Sequence, residues 1–227
     1  MKLKPIYLIL LFLVASCAKK TNYLLSKNLY EQSLLESKNK NFNRALQLVN
    51  EAIAKYKNPQ AEAQKAILLY QLGKYNESMA LFKTLIKDAK ISPTIKTDIQ
   101  NNYACTLLNL NKVSEAKEIW LNLTTQTNYL SPEVAWYNIG LLELLESKKL
   151  IDPKKALIEA ENAFINALKI SKEYIDAQFY LAITQIMLDK KEAARKNLIE
   201  LITSTPEHTS AQAVLNSLDA ETTINWS

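Results

Sequence analysis

Apolar positions recur along this chain in trios whose members are four and then three residues apart. The trios are Ala45/Val49/Ala52, Ser78/Phe82/Leu85, Ala116/Trp120/Leu123, Ala160/Phe164/Ala167 and Ala194/Leu198/Leu201. That spacing returns to one face of an α-helix, so each trio predicts an amphipathic helix with one buried stripe. The first member is small and the second is larger, which lets a paired helix approach closely at one turn and fills space at the next. An aromatic or aliphatic residue stands three positions ahead of the first three trios, at Phe42, Tyr75 and Val113. A second apolar-periodic stretch precedes each trio across a short polar break, so the chain reads as helical hairpins. Prolines mark the joints: Asn58-Pro59, Ser92-Pro93, Ser131-Pro132, Asp152-Pro153 and Thr205-Pro206. Each preceding residue is a good N-cap, and Pro is favoured at the first helical position because its missing N–H has no intrahelical partner there.

The first members of successive trios lie 33, 38, 44 and 34 residues apart. A period near 34 with small and large residues at fixed helical positions is similar to the tetratricopeptide repeat. A generic helical bundle is the alternative, but five trios at a repeating period do not arise naturally there. The resemblance implies an all-α solenoid, a right-handed superhelix of about five hairpins. Ala135-Trp136-Tyr137-Asn138-Ile139-Gly140-Leu141 is the best opening motif, with weaker copies at 61–66 and 177–182. Gly73, between hairpin helices, suits a turn that needs positive φ. An insertion around Leu145 to Lys155 is expected to lengthen both helices of its hairpin or to put a loop at one rim. Ala213, Leu215 and Leu218 mark a terminal helix that caps the last hairpin. The expected boundaries are a signal peptide at 1–16, an anchor and linker at 17–25, the solenoid at 26–207, and a capping helix with tail at 208–227.

Only two Gly occur in 227 residues, which disfavours tight β-hairpins and favours helix. Two Cys cannot make a disulfide framework if one of them carries lipid. Without residues 1–16 the chain holds 26 basic and 23 acidic side chains, all but Arg44 and Arg195 of the basic ones being Lys. A net +3 with so little Arg argues against nucleic acid. His208 is the sole His and has no ligand-spaced neighbours, so no metal, cofactor or Ser/His/Asp arrangement is expected. Cys105 reads as a small packing residue, and Glu143 and Glu146 read as solvated positions. The chain is read as a non-enzyme without a small-molecule substrate.

The N-terminus begins with Lys2 and Lys4, then an apolar run from Ile6 to Val14, then Ala15 and Ser16. This is the layout of an export signal, and the run is far short of the roughly 20 residues a membrane span needs. Val14-Ala15-Ser16-Cys17 resembles the bacterial lipobox. The resemblance implies cleavage before Cys17 and lipid on its thiol and amine, and Ala18 after it favours the outer membrane. The alternative is an ordinary signal peptide with an incidental Cys.

In tetratricopeptide repeats the first helices line the concave surface. In this register the inward positions are Ala63, Ile67, Tyr70, Asn101, Cys105, Leu108, Tyr137, Leu141, Leu144, Phe179, Ile183 and Ile186. The partner-binding candidates among them are Ile67, Tyr70, Asn101, Leu108, Tyr137, Leu141, Phe179 and Ile183. They form a mostly apolar row that suits an apolar or amphipathic segment of a protein partner. Alternatively, the row packs on itself or on the C-terminal tail.

Three stretches carry a narrower resemblance: Asn101-Asn102-Tyr103-Ala104, the run from Asn128 to Gly140, and Ala160-Glu161-Asn162-Ala163-Phe164-Ile165-Asn166-Ala167-Leu168. Over about residues 97–203 they resemble the type IV pilus biogenesis lipoproteins, the pilotins. The resemblance implies a lipoprotein held at the periplasmic face of the outer membrane, binding secretin subunits and promoting their assembly. Other scaffolds share this anatomy, serving outer-membrane protein assembly, peptidoglycan enzymes or surface motility.

Overall fold

A computed structural model describes the backbone of residues 5–220 and the side chains of residues 20–220; the side chain of Cys17 lies outside the described residues, as do residues 1–4 and 221–227. Eleven helices and no strands occur among the described residues. They are α1 (Pro5–Lys38), α2 (Phe42–Lys55), α3 (Pro59–Gln71), α4 (Tyr75–Lys87), α5 (Pro93–Asn109), α6 (Val113–Leu123), α7 (Pro132–Ser147), α8 (Lys154–Ile170), α9 (Ile175–Met187), α10 (Lys191–Ser204) and α11 (Thr209–Asp219). The chain forms two compact units, Met1–Lys112 and Val113–Ser227. In the first, α1 pairs with α2 and α3 with α4, α2 packs on α3, and α5 packs on α4. In the second, each helix from α6 to α10 packs on its successor. Among the described residues no helix is long and apolar enough to cross a membrane.

The trios explain this packing. All fifteen members lie on α2, α4, α6, α8 and α10, and none is more than 2% exposed. Burying the larger ones, Phe82, Trp120, Phe164 and Leu198, stabilises the fold by about 1.5–3 kcal/mol each. Phe42, Tyr75 and Val113 each begin the helix that carries their trio. Gly140 sits where Phe164 seats its ring: a Cβ there would lie 2.6 Å from the ring.

Ser78, the one polar trio member, keeps its hydroxyl satisfied by donating to the Ala66 carbonyl at 2.8 Å. The same device ties α1 to α2. Ser26 Oγ donates to the Ala52 carbonyl at 2.8 Å and Ser33 Oγ to the Ala45 carbonyl at 2.9 Å, and both serines are buried. A buried hydroxyl without such a partner would be destabilising.

Four inter-helix turns share one closure. Lys40, Gly73, Asn111 and Asp189 take φ of 62°, 74°, 59° and 60°. The residue after each donates its N–H five residues back: Asn41 to Glu36, Lys74 to Leu69, Lys112 to Leu107, and Lys190 to Gln185. This Schellman closure uses carbonyls that the helix end leaves free.

The N-terminal joints are partly as expected. Asn58 and Ser92 cap α3 and α5 through their side chains, each just ahead of Pro at the first position. Ser131 precedes Pro132 but makes no side-chain cap. Asp152 accepts the Lys154 N–H at 3.1 Å, so Pro153 stands just before α8. Pro206 lies in the turn before α11, where His208 is the cap, its Nδ1 accepting the Ala211 N–H at 3.1 Å.

Three details depart from the sequence reading. Residues 18–25, expected as a linker, are helical within α1. At 1.5 Å per residue a helix covers that stretch in about 12 Å, well under its extended reach. The buried face of α11 is Ala211/Val214/Leu218, with Ala213 exposed and Leu215 partly buried against the same cluster. Glu143 is 6% exposed and pairs with Lys117, which also reaches Glu159 at 3.2 Å. The insertion does both things expected of it: α7 and α8 run 16 and 17 residues, and a loop at 148–153 joins them.

Candidate functional site

Helices α3 and α5 present the candidate face of the first unit. Ile67 and Tyr70 on α3 line a cavity of about 230 Å³ with Gln71, Phe82, Asn102 and Cys105. That is below the roughly 300–1,000 Å³ of small-molecule sites and suits a single apolar side chain. One rim is polar: Asn109 Nδ2 donates to the Tyr70 hydroxyl at 3.0 Å and to the Cys105 carbonyl at 3.1 Å. Tyr75 packs its ring edge-on to Tyr70 at 5.5 Å. Leu108 is half-buried on α5. Asn101 is half-buried too, but the amide at the cavity belongs to Asn102, one residue and about 100° further round the helix.

Burial pushes the Cys105 thiol up to about 11. It stays protonated at neutral pH and offers no nucleophile, because the thiolate is the reactive form. Burial also raises the Tyr70 phenol, with the Asn109 bond opposing the shift. The face is therefore neutral, apolar at its floor and hydrogen-bonding at its edge.

Helices α7 and α9 present the candidate face of the second unit, and it is aromatic. Tyr137 stands 5.0 Å from Tyr174, 6.0 Å from Phe164 and 6.1 Å from Tyr180. Phe164 and Tyr180 stack, Phe179 meets Tyr180 edge-on at 5.5 Å, and His208 lies 5.0 Å from Phe179. Tyr137 and Leu141 are half-buried and pack on the core around Leu144, Phe164 and Leu181. Phe179 is half-buried beside the next core cluster. Ile183 is 5% exposed inside that cluster and has no surface left for a partner. Leu144 is likewise buried.

Burial, then the nearby Asp176 carboxylate, raises the Tyr137 phenol well above its usual range. The same two causes push Tyr174 up to about 12, with Glu133 adding to them. Both hydroxyls are neutral at physiological pH. Sequence reasoning missed Tyr174, Tyr180 and His208. The pair Phe179-Tyr180 was the available signal: both rings are half-buried, Phe179 against one core cluster and Tyr180 against the other. Among the described residues no group of three or more His, Cys, Asp or Glu side chains is placed to hold a metal.

No protein-family model and no curated protein sequence matches the chain. Solved structures do match it. A thermophilic tetratricopeptide protein of Thermus thermophilus is 14% identical, with a TM-score of 0.67 over 86% of this chain and 99% of that one. PilF of Pseudomonas aeruginosa is 14% identical, with a TM-score of 0.64 over 88% of this chain and 91% of that one. YrrB, described as a tetratricopeptide protein with an unusual peptide-binding site, is 17% identical, with a TM-score of 0.52 over 82% of this chain and 89% of that one. These likenesses establish the fold: consecutive helical hairpins of the tetratricopeptide type.

Proposed function

We propose that this tetratricopeptide-fold chain is a protein-binding scaffold which holds a partner segment against the first helices of its hairpins. The carrying observation is a row of half-buried apolar side chains along the first helices. Ile67, Tyr70, Leu108, Tyr137, Leu141 and Phe179 remain half-buried there, beside residues of the same helices that are fully buried, such as Leu68, Leu107, Leu142 and Leu181. Such residues have paid part of their desolvation within the fold and keep area for a partner. Helix-in-groove and extended-peptide recognition both use rows of this kind. The peptide-binding site of YrrB is in keeping with this mode.

The finer reading is a pilotin: a lipoprotein anchored through Cys17 in the outer membrane, facing the periplasm, that binds secretin subunits and promotes their assembly. The lipobox, the Asn101–Ala104, Asn128–Gly140 and Ala160–Leu168 stretches, and the likeness to PilF support it. Deleting the gene and probing membrane fractions for the heat-resistant secretin multimer tests it. Loss of multimers with secretin monomer still present is the expected result. Normal multimers with normal pili would remove the pilotin reading and leave a scaffold for another envelope complex.

A further inference from the structure

The insertion in the fourth hairpin ends in a tip of unusual composition. Its sequence is Lys148-Lys149-Leu150-Ile151-Asp152-Pro153-Lys154-Lys155, two aliphatic residues between two lysine pairs with one aspartate. Leu150 is 52% exposed and Ile151 fully exposed. Below them, Leu145 on α7 and Ile158 on α8 are also exposed. The tip is a formed turn: the Lys149 and Leu150 N–H groups donate back to the Glu146 and Ser147 carbonyls, and Asp152 accepts the Lys154 N–H. Lys149 pairs with Glu146 at 2.7 Å, while Lys148, Lys154 and Lys155 are exposed. The turn therefore holds two aliphatic side chains outward inside a cationic collar.

We propose that this tip inserts into the interface of an anionic lipid bilayer. An apolar projection needs an apolar medium that it can enter, and the collar needs anions at the level where the projection ends. A bilayer surface supplies both in that order, acyl chains beneath and phosphates above. A protein could match the tip only with a dedicated acidic-rimmed pocket. The collar is lysine without arginine, which suits diffuse attraction to headgroups more than bidentate pairing with fixed carboxylates. The contact is separate from the proposed lipid on Cys17: that lipid would tether the chain, and the tip decides how the second unit meets the surface.

The test uses the full chain with Ile151→Cys carrying an environment-sensitive fluorophore, and the unsubstituted chain treated identically to report any label on Cys17 or Cys105. Flotation confirms that the chain is on the vesicles, which keeps tethering apart from tip insertion. On phosphatidylethanolamine vesicles containing phosphatidylglycerol, the emission shifts to the blue and nitroxide-bearing lipids quench it. Both effects fall on phosphatidylcholine vesicles and in high salt, and both are lost when Lys148, Lys154 and Lys155 are changed to Glu. A chain that fails to float with the anionic vesicles, or a vesicle-bound chain whose label stays in water on them, would overturn the proposal.

Discussion

At the scale of single residues, the turns are where backbone conformation and side-chain identity are most at odds. Lys40, Asn111 and Asp189 hold positive φ where Gly73 holds it without steric cost. Asn and Asp tolerate this region better than other residues, whereas Lys has no such excuse. Lys40→Gly is expected to raise the unfolding free energy by about 1 kcal/mol, and Gly73→Ala to lower it by about as much. A Cβ at Gly73 would meet nothing within 4 Å, so its effect is purely conformational. Urea denaturation checks both, and equal stability of the two variants and the parent would contradict the assignment. Gly73 was legible as a turn because it falls between the two helices of a hairpin and Gly takes positive φ freely. The other three were not, because a left-handed residue that is not Gly leaves no mark in a single sequence. Nor does a polar residue reveal whether it is solvated. Glu143 reads as a surface carboxylate until Lys117 is seen across from it.

At the scale of elements, five helices were readable from their trios because a completely buried face imposes a strict residue pattern. Their partners were read less fully, since half-buried faces tolerate more variety. The α9 row shows this: Phe179 keeps a surface, while Ile183, four residues on, has gone into the core. On α11 the candidate Leu218 is buried and Leu215 partly so, while the packing uses Ala211 and Val214 in place of Ala213. The serine hydroxyls by which α1 also meets α2, beside Tyr30 on the Ala45/Val49 cluster, were not legible, because hydropathy does not register them. Ser33→Ala should cost about 1 kcal/mol through the lost hydrogen bond. Ser33→Leu should cost about 3 kcal/mol by forcing the α1–α2 contact apart. Thermal and urea unfolding would show it, and a Leu variant as stable as the Ala variant would mean that the helices are not closely packed there.

At the scale of the molecule, each unit presents one kind of surface: a small cavity with an amide rim in the first, a neutral aromatic wall in the second. The solenoid class was legible from the repeat period alone, since stacked hairpins need the same residues at the same intervals. The character of the faces was not, because it depends on which half-buried rings meet across helices far apart in sequence. Tyr137 with Tyr174 and Phe179 with His208 are pairs of that kind. The most direct measurement is photo-crosslinking in cells from an unnatural benzophenone residue at Leu108 or Leu141 on first helices, against Leu121 or Ile199 exposed on second helices. Adducts to a protein partner from Leu108 and Leu141, with none from Leu121 or Ile199, are the predicted result. Adducts from the second-helix positions alone would contradict binding through the first-helix face.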